Sequence, residues 1–218
     1  MTGETAPRSS EYDPAFGAAG AHGDDSDLER GRRLFAVASR PYLSSPIPWL
    51  VWAAVLPGAA LATDRALAAR GPVAVLALWS TAVLLGGAVE ATFLLRARRR
   101  FGTTPLGSWV MTAQGNLSLV AAALSLALVV ADRFDLIPGV WLLLLGHSLF
   151  SLGGLALPAM RAAGIVYQLA GAAALVPGIR PLLAVAVATG AGNLWIAIGL
   201  LRRGPPGAPG REPGNESS

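Results

Sequence analysis

"PVAVLALWSTAVLLGGAVEATFLLRARRR", residues 72–100, is the stretch that decides the fold. From Pro72 to Leu95 its only charged residue is Glu90. At 1.5 Å rise per residue this run makes a helix about 36 Å long, enough to cross a hydrocarbon core about 30 Å thick. It then stops on Arg96, Arg98, Arg99 and Arg100. A buried helix of a soluble protein needs neither so long an uncharged run nor so dense a basic stop. A membrane span arrested at a cytoplasmic surface needs both.

Outward from this run lie five more apolar stretches: Leu43–Ala62, Pro105–Ala131, Leu136–Leu157, Pro158–Val176 and Pro181–Leu201. Together they predict an all-α, polytopic transmembrane bundle of about six spans over residues 43–201. Pro72, Pro105 and Pro181 open their runs, where a missing N–H is harmless. Pro57 lies inside the first run and is expected to kink it. The fifth run is short, and only "LPAMRAAG" separates it from the fourth.

Composition agrees. Of 218 residues, 53% are hydrophobic and 14% charged, against roughly 25% charged in soluble domains. The charges crowd residues 1–46 and 202–218. With no cysteine, disulfides, thiolate catalysis and palmitoylation are excluded. All 17 basic residues are arginine, which reads as a GC-rich, bacterial coding bias. The pI near 10.6 is no sign of nucleic-acid binding, because the arginines sit at span ends, where topology and anionic lipid account for them.

The arginines also set the orientation. With the N-terminus inside, the cytoplasmic segments carry 13 arginines and the external loops carry Arg65, Arg70, Arg133 and Arg180. The expectation is therefore an inner (plasma) membrane protein, multi-pass, with both termini cytoplasmic. "GAALA" offers a cleavage-like site at Ala60–Ala62, but it lies far from Met1 and follows an acidic leader, which argues against a signal peptide. Residues 1–25 form an acidic tail expected to be disordered. "SDLE", residues 26–29, matches a capping box, so residues 26–42 read as an amphipathic interfacial helix, with a solvated linker as the alternative. Residues 202–218 form a Pro/Gly-rich disordered tail, and the sequon at Asn215–Ser217 is idle on the cytoplasmic side.

Polar residues inside spans are costly and need a partner or a cavity. Glu90, Asn116, His147, Gln168 and Asn193 are the candidate binding residues. Helical spacing sets Glu90 with Gly86 and Gly87, His147 with Ser151 and Gly154, Gln168 between Gly164 and Gly171, Asn116 with Thr112 and Asn193 with Thr189, so these side chains are expected to face the bundle interior. Gln114 stands about 200° around the helix from Asn116 and cannot share its face. All five candidates fall between the inner half and the midplane of the core. One reading is a cytoplasm-facing polar layer with Glu90 and His147 as its titratable members. The other is that polar groups only stitch helices together, at about 0.6 kcal/mol each.

"TAQGNL" at 112–117 and "TGAGNL" at 189–194 share T-x-x-G-N-L, and "IPWLVW" at 47–52 echoes "IPGVW" at 137–141. An inverted three-plus-three repeat would produce such pairs. The offsets disagree, however, at 77 residues from Thr112 to Thr189 and 90 from Ile47 to Ile137, and chains rich in Gly, Ala and Leu yield chance matches.

The chain lacks H-E-x-x-H and G-x-S-x-G motifs, and "GHSLF" has Phe150 where the second glycine belongs. No catalytic residue, metal site or cofactor is predicted. The expectation is a small transporter-like or channel-like carrier, and the alternative is a non-catalytic membrane scaffold or regulatory partner. Expected partners are the lipid bilayer and a homo-oligomer or another membrane protein, with no nucleic acid.

Overall fold

A computed structural model of the chain describes residues 45–103, 105–153 and 157–203, together with Arg30, Gly31, Leu34 and Leu43. The chain divides into two units, 1–34 and 35–218. In the first, Arg30, Gly31 and Leu34 are helical and exposed. The tails at 1–25 and 204–218 and most of the interfacial stretch at 26–42 lie outside the described residues.

Among the described residues the second unit holds six α-helices: α1 (Ile47–Arg70), α2 (Pro72–Phe101), α3 (Pro105–Val130), α4 (Ile137–Ser148), α5 (Pro158–Ala174) and α6 (Pro181–Arg203). No strand occurs among the described residues. Five helical stretches are long and apolar enough to cross a membrane: Ile47–Arg70, Pro72–Phe101, Gly107–Val130, Phe134–Ser151 and Pro181–Arg202. α5, at 17 residues, is the short one, as its run suggests. Large apolar side chains point outward, Val73 at 77% and Val130 at 81% exposure. In water such surfaces would aggregate; in a bilayer lipid covers them.

The helix ends follow local chemistry. Ser45 Oγ accepts the Ile47 N–H at 3.2 Å. The first helix does not stop at Ala62 as its apolar run suggests. Asp64, Arg65 and the alanines after them are compatible with helix, so α1 continues to Arg70. It ends where Gly71 takes φ +72 and donates its N–H to Leu67 O at 2.9 Å, directly before Pro72. The cleavage-like Ala60–Ala62 thus lies within an unbroken helix. Likewise α2 runs through its arginines to Phe101. Its 30 residues span about 45 Å, so its basic last turns project past the hydrocarbon core. α3 closes with Asp132 at φ +55 and with Arg133 N–H bonded to Leu128 O at 2.8 Å, a Schellman arrangement. α4 ends in a π-helical turn, Leu149–Gly153, and α5 starts from the extended, buried Leu157. That fixes the start of the fifth helix at Pro158.

Packing runs in the order α2, α1, α6, α5, α4, α3, with α4 also touching α6. α6 is the most buried span and α3 the least, at 44% and 6% of their apolar windows. α1 and α6 are antiparallel: Trp49 packs with the cluster of Ile196 and Leu200 at one end, and Ala60 with Val185 and Ala186 at the other. Pro57 lies against Gly190 of α6. A relation between chain halves would pair the α5–α6 contact with an α2–α3 contact. The first pair packs closely and the second does not.

α4 and α5 approach backbone to backbone. Gly139 faces Gly171 and Gly146 faces Gly164, two glycines seven residues apart on each antiparallel helix. A Cβ on Gly146 would stand 2.8 Å from Gly164 O, and one on Gly171 would stand 3.0 Å from Gly139 O. Backbone meets backbone here, which only glycine allows.

Candidate functional site

Several of the polar side chains meet in pairs at helix contacts. At the α1–α2 seam, Trp52 lays its ring over Gly86, and one turn on its indole N–H donates to Glu90 Oε2 at 2.9 Å. Farther along the same seam, Trp79 Nε1 donates to Thr63 Oγ1 at 3.0 Å, while Thr63 donates to Ala59 O at 2.8 Å. At the α3–α4 seam, Gln114 Nε2 donates to Ser148 Oγ, and Trp141 Nε1 donates to Ser125 Oγ at 2.9 Å. At the α5–α6 seam, Gly192 lets the Tyr167 ring approach, and the Asn193 side chain reaches the Tyr167 hydroxyl. Asn193 is 4% and Tyr167 3% exposed.

Of the five candidate residues, only Asn193 is buried, and Gln168 is half-buried with its backbone against Gly146. Three expectations of inward facing need correction. Asn116 is exposed, because α3 packs only through the face of Gln114, Ala121 and Ser125, and Asn116 lies on the other side. His147 is exposed between the two faces that α4 turns to its neighbours, Gly146 towards α5 and Ser148 towards α3. Glu90 is exposed as well. α2 rests on α1 at the margin of the bundle, so a face aimed at α1 is a seam, not the centre. Among the described residues, Trp52 is the hydrogen-bond partner of Glu90, and none of the other four candidates reaches it.

The sequence reading set Gln114 apart from the candidate site and passed over Ser148, Trp52, Trp79 and Trp141. The tryptophans carry a usable signal. An indole N–H in an apolar run needs an acceptor, and each of these three finds one across a helix contact.

Among the described residues no group of three or more His, Asp or Glu is placed to hold a metal ion. Arginine decorates one rim. Arg96 stacks over Phe93 at 5.9 Å, Arg100 over Phe101 at 5.3 Å, and Arg161 over Phe150 at 5.0 Å. On the opposite rim Arg133 pairs with Asp135 at 3.2 Å. Comparison with known proteins gives no match: no family model fits the chain, and no curated protein and no solved structure is significantly similar to it.

Proposed function

We propose that the chain is a non-catalytic membrane scaffold or regulatory partner, held in a bacterial plasma membrane with both termini in the cytoplasm. One observation carries this reading: among the described residues, several polar side chains inside the spans meet in pairs across adjacent helices. Gln114 with Ser148, Trp141 with Ser125, Trp79 with Thr63 and Asn193 with Tyr167 each join two neighbours. Such pairs hold a bundle together, and among the described residues they do not converge around a substrate-sized space.

The carrier reading draws support from Glu90 alone, a carboxylate held by a single indole with the rest of its surface open. The two readings separate in one experiment. Because the native chain has no cysteine, Glu90→Cys carries the protein's single thiol. Under the scaffold reading a membrane-impermeant maleimide leaves it unlabelled in sealed vesicles, and Glu90→Gln behaves as wild type in assembly and in proton flux. Labelling from one side, together with altered flux in Glu90→Gln, would replace the scaffold with a carrier.

A further inference from the structure

α5 and α6 leave two grooves between them. One, of about 390 Å³, is lined by Val166, Ala170, Leu183, Ala184 and Val187 and ends at Arg180. The other, of about 330 Å³, is lined by Pro158, Ala159, Trp195, Ile198 and Gly199 and ends at Arg202. Ala184 and Trp195 are eleven residues apart, as are Val187 and Ile198. Eleven residues are about three helical turns, so the grooves lie one above the other on the same face of α6. Each is walled by apolar side chains, and among the described residues its one charged lining residue is an arginine. From Arg180 to Arg202 the helix rises about 33 Å, close to the roughly 30 Å of a hydrocarbon core. The two guanidinium groups therefore stand at the two headgroup levels, with an apolar trough running inward from each.

We propose that each groove seats one phospholipid, one in each leaflet, with an acyl chain along the trough and its phosphate on Arg180 or Arg202. Charge decides the occupant. An apolar helix from a second chain would fill the troughs but bring nothing for two cations, whereas a lipid phosphate brings paired acceptor oxygens for a guanidinium. Trp195 and Ile198 on one groove and Val187 and Leu183 on the other remain 36% to 62% exposed in the folded chain, so both troughs are open to lipid from the side. The proposal needs only that the helices span a bilayer, and it is independent of the choice between scaffold and carrier.

The test is native mass spectrometry of the full chain extracted in mild detergent from phospholipid membranes. Wild type retains up to two phospholipids. Arg180→Gln and Arg202→Gln each lower retention at one site by about tenfold, the order expected for one charge-assisted contact, and the double variant retains neither. Arg98→Gln, on the same rim as Arg202 but outside the grooves, retains lipid as wild type does. A photoreactive side chain at Val187 or at Ile198 gives adducts of lipid mass. Undiminished retention in the double variant, or adducts of protein mass from either position, would overturn the proposal. An unchanged gel-filtration profile for each variant keeps a loss of lipid distinct from a loss of fold.

Discussion

The same residue type in the same phrase meets two fates. In T-x-x-G-N-L of α6, Thr189 is 1% and Asn193 4% exposed, and Gly192 lies under Tyr167. In the matching phrase of α3, Thr112 and Asn116 are exposed and nothing stands within 4 Å of a Cβ on Gly115. Asn193→Leu would orphan the buried Tyr167 hydroxyl and should cost about 1–3 kcal/mol. Asn116→Leu should be neutral or slightly stabilising, because it replaces an unpaired amide on a lipid-facing surface. Unfolding in detergent micelles measures both, and a large loss in Asn116→Leu would mean that α3 is covered by something else. The sequence could not separate the two. In a soluble helix, hydrophobicity names the buried side; in lipid both sides are apolar, so spacing tells which residues share a face but not where that face points. Glu90, Asn116 and His147 were misdirected for this reason, while the angular argument setting Gln114 opposite Asn116 was sound.

At the scale of elements, the apolar runs marked all six helices, because the length rule for spans depends only on composition. Ends were less legible. α1 overran its run by eight residues, to Arg70, and α2 by six, to Phe101, because charge ends a hydrophobic run without ending a helix; Gly71 and Gly102, at positive φ, end both. The α4–α5 contact was half visible: Gly164 and Gly171 stood out beside Gln168, but their partners Gly139 and Gly146 emerge only once the antiparallel register is known. That register makes a sharp prediction. Gly164→Leu would drive a side chain into Phe150 N, 2.6 Å from an added Cβ, and Gly146→Leu into Gln168 N at 2.8 Å. Backbone cannot step aside as a rotamer can, so each should cost about 3 kcal/mol. Gly87→Leu and Gly115→Leu meet open space and should be tolerated, with a gain of up to about 1 kcal/mol from helix propensity. Thermal unfolding of the four variants in one detergent checks the contrast, and equal losses at all four positions would dissolve the register.

At the scale of the whole molecule, the question is whether α5 crosses the membrane. Its 17 residues reach about 26 Å, short of a hydrocarbon core of about 30 Å. If α5 only dipped in, the chain would cross five times and its ends would lie on opposite sides. The packing argues otherwise. Leu43 and Trp49 at the start of α1 join the cluster of Ile196 and Leu200 near the end of α6, and Leu157 at the start of α5 lies in the same cluster. Both ends of the bundle are therefore expected on the same side of the membrane, which needs an even number of crossings. A short helix is also the one best kept inside: α5 buries Ala163, Gly164, Tyr167, Gly171 and Ala174 against α4 and α6, so neighbouring helices cover much of what the mismatch would expose. The rim where α2 ends and α5 begins carries Arg96, Arg98, Arg99, Arg100 and Arg161, with Arg202 and Arg203 at the end of α6. The other rim has Arg65, Arg70, Arg133 and Arg180 interleaved with Asp64, Asp132 and Asp135. The first rim is accordingly expected in the cytoplasm. Reporters fused before Met1 and after Ser218 should both read as cytoplasmic, and reporters inserted at Gly71, Asp132 and Gly178 should all read as external. A C-terminal reporter on the opposite side from the N-terminal one would make α5 a re-entrant helix and leave five crossings.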